Sequence, residues 1–331
     1  MANTSHIELV KKGREALEKW RDDLPSVRLD LTGADLRGLD LSDLNLNGAD
    51  LSQANLADAQ LSSSNLVDAN LTGATLVEAD LSEATMSRAR LTQADLTGAT
   101  LDRAKMTAAD FSRATLTRAV LTSAGLKDVI FKDATLTRAR LTRASLHGAN
   151  LSGADLTHAQ LNHADLRNVS LKGAVLKQVD LDGAKLDGAD LTQADLTDGK
   201  LTWVRLNMAN LSGAILNRCN LSGADLTEAR LRDAQLADAD LSWTHVGGTD
   251  LQGADLNWSD LRNADLRNAS LSGAEVEGVD LSGARVDADN WIERQIDCEP
   301  PPVSFDDMDW SITEEDEAGE KVLLLRRLRD R

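Results

Sequence analysis

An apolar residue, nearly always leucine, falls on every fifth position from Leu31 to Trp291 with no slip of register. The stretch Ala49-Asp50-Leu51-Ser52-Gln53 shows the unit: a small residue, a polar residue, leucine, then two polar residues. An α-helix turns about 100° per residue, so leucines five apart spiral around it and form no buried stripe. A continuous strand alternates its side chains, so every second leucine would face water. Neither regular element buries this pattern. Within one unit, however, the alanine and the leucine two residues later lie on the same side of a short extended segment. The Ser/Thr and Gly/Asn/Asp/Gln pair that follows suits a bend. If each unit ends in a bend of about a right angle, four units close one coil with both apolar residues inside.

Exceptional core residues support a twenty-residue coil. Phe111 and Phe131 replace leucine twenty positions apart, and so do Met86 and Met106. The larger residues Val179 and Val279, and Val129 and Val169, at the alanine position, also fall on multiples of twenty. Stacking such coils gives an all-β solenoid of about thirteen coils, a rod of roughly 60 Å at strand-like spacing. The unit resembles the A(D/N)LXX signature of the pentapeptide-repeat family across about four-fifths of the chain. That resemblance implies a right-handed quadrilateral parallel β-helix. The lead-in from Trp20-Arg21 to Leu31 is similar to the helix and Trp-Arg pair that precede many bacterial pentapeptide solenoids.

A solenoid needs covered ends, because an open coil exposes both core and strand edges. Ser5 with Glu8 reads as a capping box, and Ile7, Val10, Leu17, Trp20 and Leu24 form a helical apolar stripe over residues 5–23. Leu39 and Leu44, large residues at alanine positions, are expected to fill a wider first coil beneath it. Past Trp291, Pro300-Pro301-Pro302 stops regular structure and 306–320 is acidic. Residues 321–331, with Val322, Leu324, Leu325 and Leu328 beside Arg326, Arg327 and Arg329, suggest a short amphipathic helix. The expected organisation is a helical N-terminal cap over 1–29, a solenoid over 30–291, then an acidic linker and C-terminal helical tail over 292–331.

The formal net charge of −18 on 331 residues argues against direct binding of nucleic acid or an anionic membrane. The opening residues, polar and mixed in charge, do not read as a secretion signal. The apolar run Val322–Leu325 is too short to span a bilayer. Cys219 takes a core alanine position and Cys298 lies far along the chain, so no disulfide framework is implied and a reducing cytoplasm is expected. The charge is banded: 30–84 is acidic with Arg37 its lone cation, 85–148 is rich in arginine, and acid returns toward the C-terminus.

Positions sharing a remainder modulo twenty share an edge of the expected rod. One edge carries Arg103, Arg143, His163, Trp203 and Trp243, and the next carries Arg118, Arg138, His158, Arg218 and Trp258. They bound one face that includes Arg140. Arginine and tryptophan anchor interfaces more than other residues, so this face is the candidate surface for a protein partner. The opposite side, edged by Gly148, Gly153, Gly173, Gly188, Gly213, Gly248, Gly253 and Gly273, looks smooth. A homodimer through that side or through an end cap is a further arrangement. Asp240, Asp260 and Asp280 stack like charges with no cation evident between them, which is unfavourable without a functional reason.

The sequence carries no phosphate-binding glycine loop, zinc spacing or nucleophile elbow, and no cofactor or metal is expected. His158 and His163 lie on adjacent edges without a clear third ligand. A convex rod also offers no water-excluding pocket. The leading expectation is therefore a non-enzymatic, cytoplasmic, bacterial-type scaffold that binds a protein along one face. The resemblance implies an alternative, since some acidic family members mimic duplex DNA and modulate DNA gyrase or topoisomerase IV. The aspartate column favours that alternative. The arginine band and the absence of loop insertions oppose it.

Overall fold

The computed structural model describes residues 3–288, 291–296, 310–317 and 320–327. The chain forms two compact units, Met1–Ser170 and Leu171–Arg331. Within each unit, parallel bridges join residues of the polar column that lie twenty positions apart. In the first unit they run from Asp30↔Asp50 to Asn150↔Ser170, and in the second from Val175↔Asp195 to Asp265↔Arg285. The coil is therefore twenty residues, as the Phe and Met pairs suggest.

The five-residue unit follows from giving every backbone N–H a partner. Leu51 N–H donates to Asn70 O on the next coil at 2.7 Å and Gln53 N–H to Thr72 O at 2.9 Å. Asp50 N–H reaches back to Leu29 O at 2.8 Å, and Ala54 N–H closes the turn onto Leu51 O at 3.0 Å. The remaining donor, Ser52 N–H, meets Asp50 Oδ1 at 3.1 Å. The Ser52 hydroxyl donates to the same oxygen at 2.6 Å. This Asx turn explains Asp or Asn before the leucine and Ser or Thr after it.

The last residue of each unit sits at positive φ from Gly33 to Gly283, at 54–62° wherever it is not glycine. Positive φ at that place marks a type II turn. Each non-glycine there carries about 1–2 kcal/mol of backbone strain, tolerated because ladders on both sides fix the chain. No β-branched residue occupies the position, although threonine is common one residue earlier. Alanine and leucine fill the interior. Phe111 and Phe131 are fully buried with ring centroids 5.0 Å apart and tilted by 35°. Met86 and Met106 are buried as well. The buried Cys219 thiol donates to Leu196 O at 3.0 Å, and burial pushes its pKa up to about 12. It is an inert core group, whereas Cys298 lies outside the described residues.

The N-terminal cap is two helices, α1 (Thr4–Lys11) and α2 (Arg14–Asp23), broken at Gly13 with φ +84°. The N-cap is Asn3, not Ser5: its Oδ1 accepts from Ser5 N–H at 3.1 Å and His6 N–H at 3.3 Å. Val10, Leu17 and Leu44 are buried, whereas Leu24 is exposed. The first coil has no predecessor to donate to its outward carbonyls, and side chains replace it. Arg21 donates to Asn45 O at 2.8 Å and Asn47 O at 2.9 Å, and Arg28 to Gly48 O at 2.8 Å.

Over the described residues 321–327 the expected helical tail is not formed. Its described part is a strand, β3 (Glu320–Arg327), paired antiparallel with β2 (Trp310–Glu317) and with the two-residue β1 (Arg285–Val286) in the order β1-β3-β2. Ladder geometry decides this. The last coil leaves an orphan N–H and C=O, which a helix with internally paired backbone would not satisfy. Leu325 O accepts from Gly283 N–H and Leu325 N–H donates to Ala284 O, both at 2.9 Å. The fifth-position pattern also outlasts the ladder: Trp291 opens a short helix, α3 (Trp291–Ile296), and is buried. The triple proline lies outside the described residues, and part of the acidic 306–320 segment is strand β2.

Candidate functional site

In the first unit the candidate residues gather on the face whose central column is Asp40, Gln60, Asp80, Thr100, Val120, Arg140 and Gln160. Each coil presents there one corner residue, one centre and the next corner. Arg103, Arg118, Arg138, Arg143, His158 and His163 all occupy the strained corner position, with φ of 54–61°, and all are exposed. Arg103 pairs with Glu83 of the preceding coil at 3.2 Å. Among the described residues Arg118, Arg138, Arg140 and Arg143 form no ion pair.

In the second unit Trp203, Trp243 and Trp258 take the same kind of corner, at φ 55–62°, and are 70%, 63% and 62% exposed. Trp203 lies against Gly223 and Trp258 against Gly278, close enough that a Cβ on either glycine would fall within 3.0 Å of indole ring atoms. Glycine on the next coil thus makes room for the ring to lie along the surface. The central column of that face is Asp180, Lys200, Asn220, Asp240, Asp260 and Asp280. The tryptophans and the aspartate ladder, read separately in the sequence, therefore share one face of this unit.

The ladder is not free of cations, contrary to the sequence reading. Arg262, two residues after Asp260, meets Asp260 at 2.5 Å and Asp280 at 3.8 Å. Burial works against ionisation of Asp260, but the Arg262 guanidinium and backbone N–H outweigh it and hold its pKa below the ordinary value. Spacing modulo twenty missed this pair because the guanidinium reaches across from the turn. Arg218 is similarly tied to Asp198 at 2.7 Å. Sequence reading also missed Met208, a corner residue 67% exposed.

The glycine edges are covered by acidic side chains at four positions, whereas Gly173 stands open. Asp128 leans over Gly148 and Asp133 over Gly153 in the first unit, as Glu228 does over Gly248 and Asp233 over Gly253 in the second. These glycines leave space for the previous coil's side chain, so a second copy docking there would meet carboxylates. Among the described residues no group of three or more His, Cys, Asp or Glu stands where it could hold a metal. No helix among them is long and apolar enough to cross a membrane.

The Asx turns and corner pairs set an acid limit. The Arg37 guanidinium and backbone N–H lower the Asp35 pKa to about 2, and the Ser42 N–H and hydroxyl lower that of Asp40. A carboxylate depressed in the fold contributes stability that is fully present above its unfolded pKa of about 3.9 and is lost as pH falls through the folded value. The urea midpoint should therefore stay level from neutral pH to about 5 and fall between about pH 4 and 2. A midpoint at pH 2.5 equal to that at pH 7 would show that the turns do not depend on ionised aspartate.

The family description "Pentapeptide repeats (8 copies)" matches overlapping stretches that cover residues 30–242 and 249–286. The chain belongs to the pentapeptide repeat family. Proteins of this family fold as right-handed β-helices, in accord with the ladder seen here. This pentapeptide repeat protein is 34% identical to HetL, a pentapeptide repeat protein involved in heterocyst differentiation regulation in the cyanobacterium Nostoc sp. strain PCC 7120. That match covers 81% of this chain and 94% of HetL with a TM-score of 0.27. Full-length QnrB1, a plasmid-mediated fluoroquinolone resistance protein, matches at 15% identity over 76% of this chain and 91% of its own, with a TM-score of 0.29. A pentapeptide repeat protein of the Arabidopsis thaliana thylakoid lumen is 32% identical over 33% of this chain and 69% of its own, with a TM-score of 0.16. Family membership rests on the repeat match and not on these superpositions. No curated protein matches the chain significantly.

Proposed function

We propose that this pentapeptide repeat protein is a non-enzymatic, cytoplasmic interaction scaffold whose two units each present a binding face. The observation that carries this reading is the set of exposed tryptophans in the second unit. Their corner position strains the backbone, and serine, aspartate and asparagine fill the same place elsewhere in the chain. Three indoles more than half exposed beside a carboxylate column cost solubility and give nothing to the core. A partner segment that mixes apolar and basic side chains fits both features, through ring contact, cation–π attraction and the aspartates. The arginines and histidines of the first unit supply the second face.

The triple change Trp203→Ser, Trp243→Ser and Trp258→Ser is expected to abolish partner capture from a bacterial lysate while leaving the melting temperature within a few degrees. Serine is already tolerated at this corner, at Ser63 and Ser123. Undiminished capture by the triple variant would overturn the tryptophan face. The second reading, a DNA mimic acting on DNA gyrase or topoisomerase IV, draws on the Asp240, Asp260 and Asp280 column. It is weakened by the Arg262 bridge across two of the three. Capture of topoisomerase subunits that survives the tryptophan changes and is released by salt would favour it.

A further inference from the structure

The arginine face of the first unit is only half of a longer face. Toward the N-terminus the same columns and corners carry Asp40, Asp43, Asp58, Glu78, Asp80 and Glu83. Apart from Glu83 with Arg103, none of these carboxylates forms an ion pair among the described residues. One exposed face therefore runs from largely uncompensated acid to largely uncompensated base, joined at the Glu83–Arg103 pair. Like charges on neighbouring coils destabilise the fold that carries them, and among the described residues of this face Glu83 with Arg103 is the only pair that offsets them.

Two rows stand out because all three of their outward positions are charged. Glu78, Asp80 and Glu83 form one, and Arg138, Arg140 and Arg143, three coils further on, form the other. A two-fold axis lying in the plane of the face, across the coil stack and midway between these rows, carries each onto the other in a second molecule. It keeps each corner on its own side. Glu78 then faces Arg138 of the second copy, Asp80 faces Arg140 and Glu83 faces Arg143. The next row outward sets Asp58 against His158. Such an interface is isologous and closes at two chains.

We propose that this face of the first unit pairs antiparallel with the same face of a second copy, the Glu78–Asp80–Glu83 row of each against the Arg138–Arg140–Arg143 row of the other. The inference rests on reading the arginine face as a binding surface and names its occupant. Coils repeat at about 4.8 Å, so the strip is roughly 30 Å long and one strand segment wide. That is narrower than the ~800 Å² per partner of a standard interface, so the pair is weak and its strength is electrostatic.

Sedimentation equilibrium of the full chain tests this. Dimer should form at about 0.05 M salt and its dissociation constant should rise about tenfold or more by 0.5 M, where the screening length falls to a few ångströms. Variant R138E/R140E/R143E and variant E78R/D80R/E83R should each be monomeric at low salt, since each sets like charge against like. Mixed in equal amounts they should form a one-to-one heterodimer, because every contact is then restored with its sign arranged anew. Arginine and glutamate both already occupy these corners, so neither variant asks the backbone for a new conformation. Wild-type protein that stays monomeric at low salt, or two triple variants that dimerise alone, would overturn the pairing. If wild type is monomeric but R138E/R140E/R143E loses capture of another protein, the binding-face reading stands and self-pairing falls. If capture is also unchanged, both fall.

Discussion

Phe111→Ala lowers the unfolding free energy by about 3–5 kcal/mol, read as a shift in the guanidinium midpoint at unchanged slope. The interior of a coil is filled by one leucine and one alanine per side, and at Phe111 a fully buried ring takes the leucine's place. Its neighbour on the next coil, Phe131, accepts that ring at 5.0 Å in a tilted arrangement. Alanine at 111 leaves a cavity whose walls are tied to the ladder on both sides and collapse poorly. Phe131→Ala should cost about as much, and the double change less than the sum of both, with a coupling of about 0.5–1.5 kcal/mol. Phe111→Leu restores the usual residue and should cost less than half as much as alanine. A loss under about 1 kcal/mol for Phe111→Ala would mean that the column closes over the gap, against the rigid coil inferred here.

Much of this architecture was legible because the ladder repeats one local solution. Leucine at every fifth position excludes helix and continuous strand, and the paired Phe and Met residues gave the coil length before any bridge was seen. The corner strain was only half legible. The absence of β-branched residues there is visible in the sequence, but positive φ at residues such as Trp203 and Arg138 is not a property their types advertise. What failed were contacts that leave the column. Arg262 bridges two aspartates from the turn, and Asp128 leans over Gly148, because side-chain length and tilt do not follow remainders modulo twenty. The tail failed for another reason. Val322 to Leu325 fits either period over so short a run, and only the orphan backbone groups of the last coil select the strand.

Those orphan groups make Leu325→Pro the most damaging single change expected at the C-terminal end. Leu325 is fully buried, and its N–H and C=O stand in for the coil that would follow Ala284 and Gly283. Proline removes the donor to Ala284 O and leaves that carbonyl unsatisfied. The loss should reach about 3 kcal/mol or more. Leu325→Ala separates the two contributions, since it keeps both backbone bonds and removes only the packing, at about 2–5 kcal/mol. The discriminating readout is therefore association rather than stability alone. Without its strand the last coil presents Gly283 N–H, Ala284 O and an open apolar column, a template for the edge of another chain. Light scattering should show Leu325→Pro forming large species that 0.5 M salt does not disperse, while Leu325→Ala, equally destabilised, stays small. If both variants associate alike, buried leucine rather than backbone pairing closes this end of the coil.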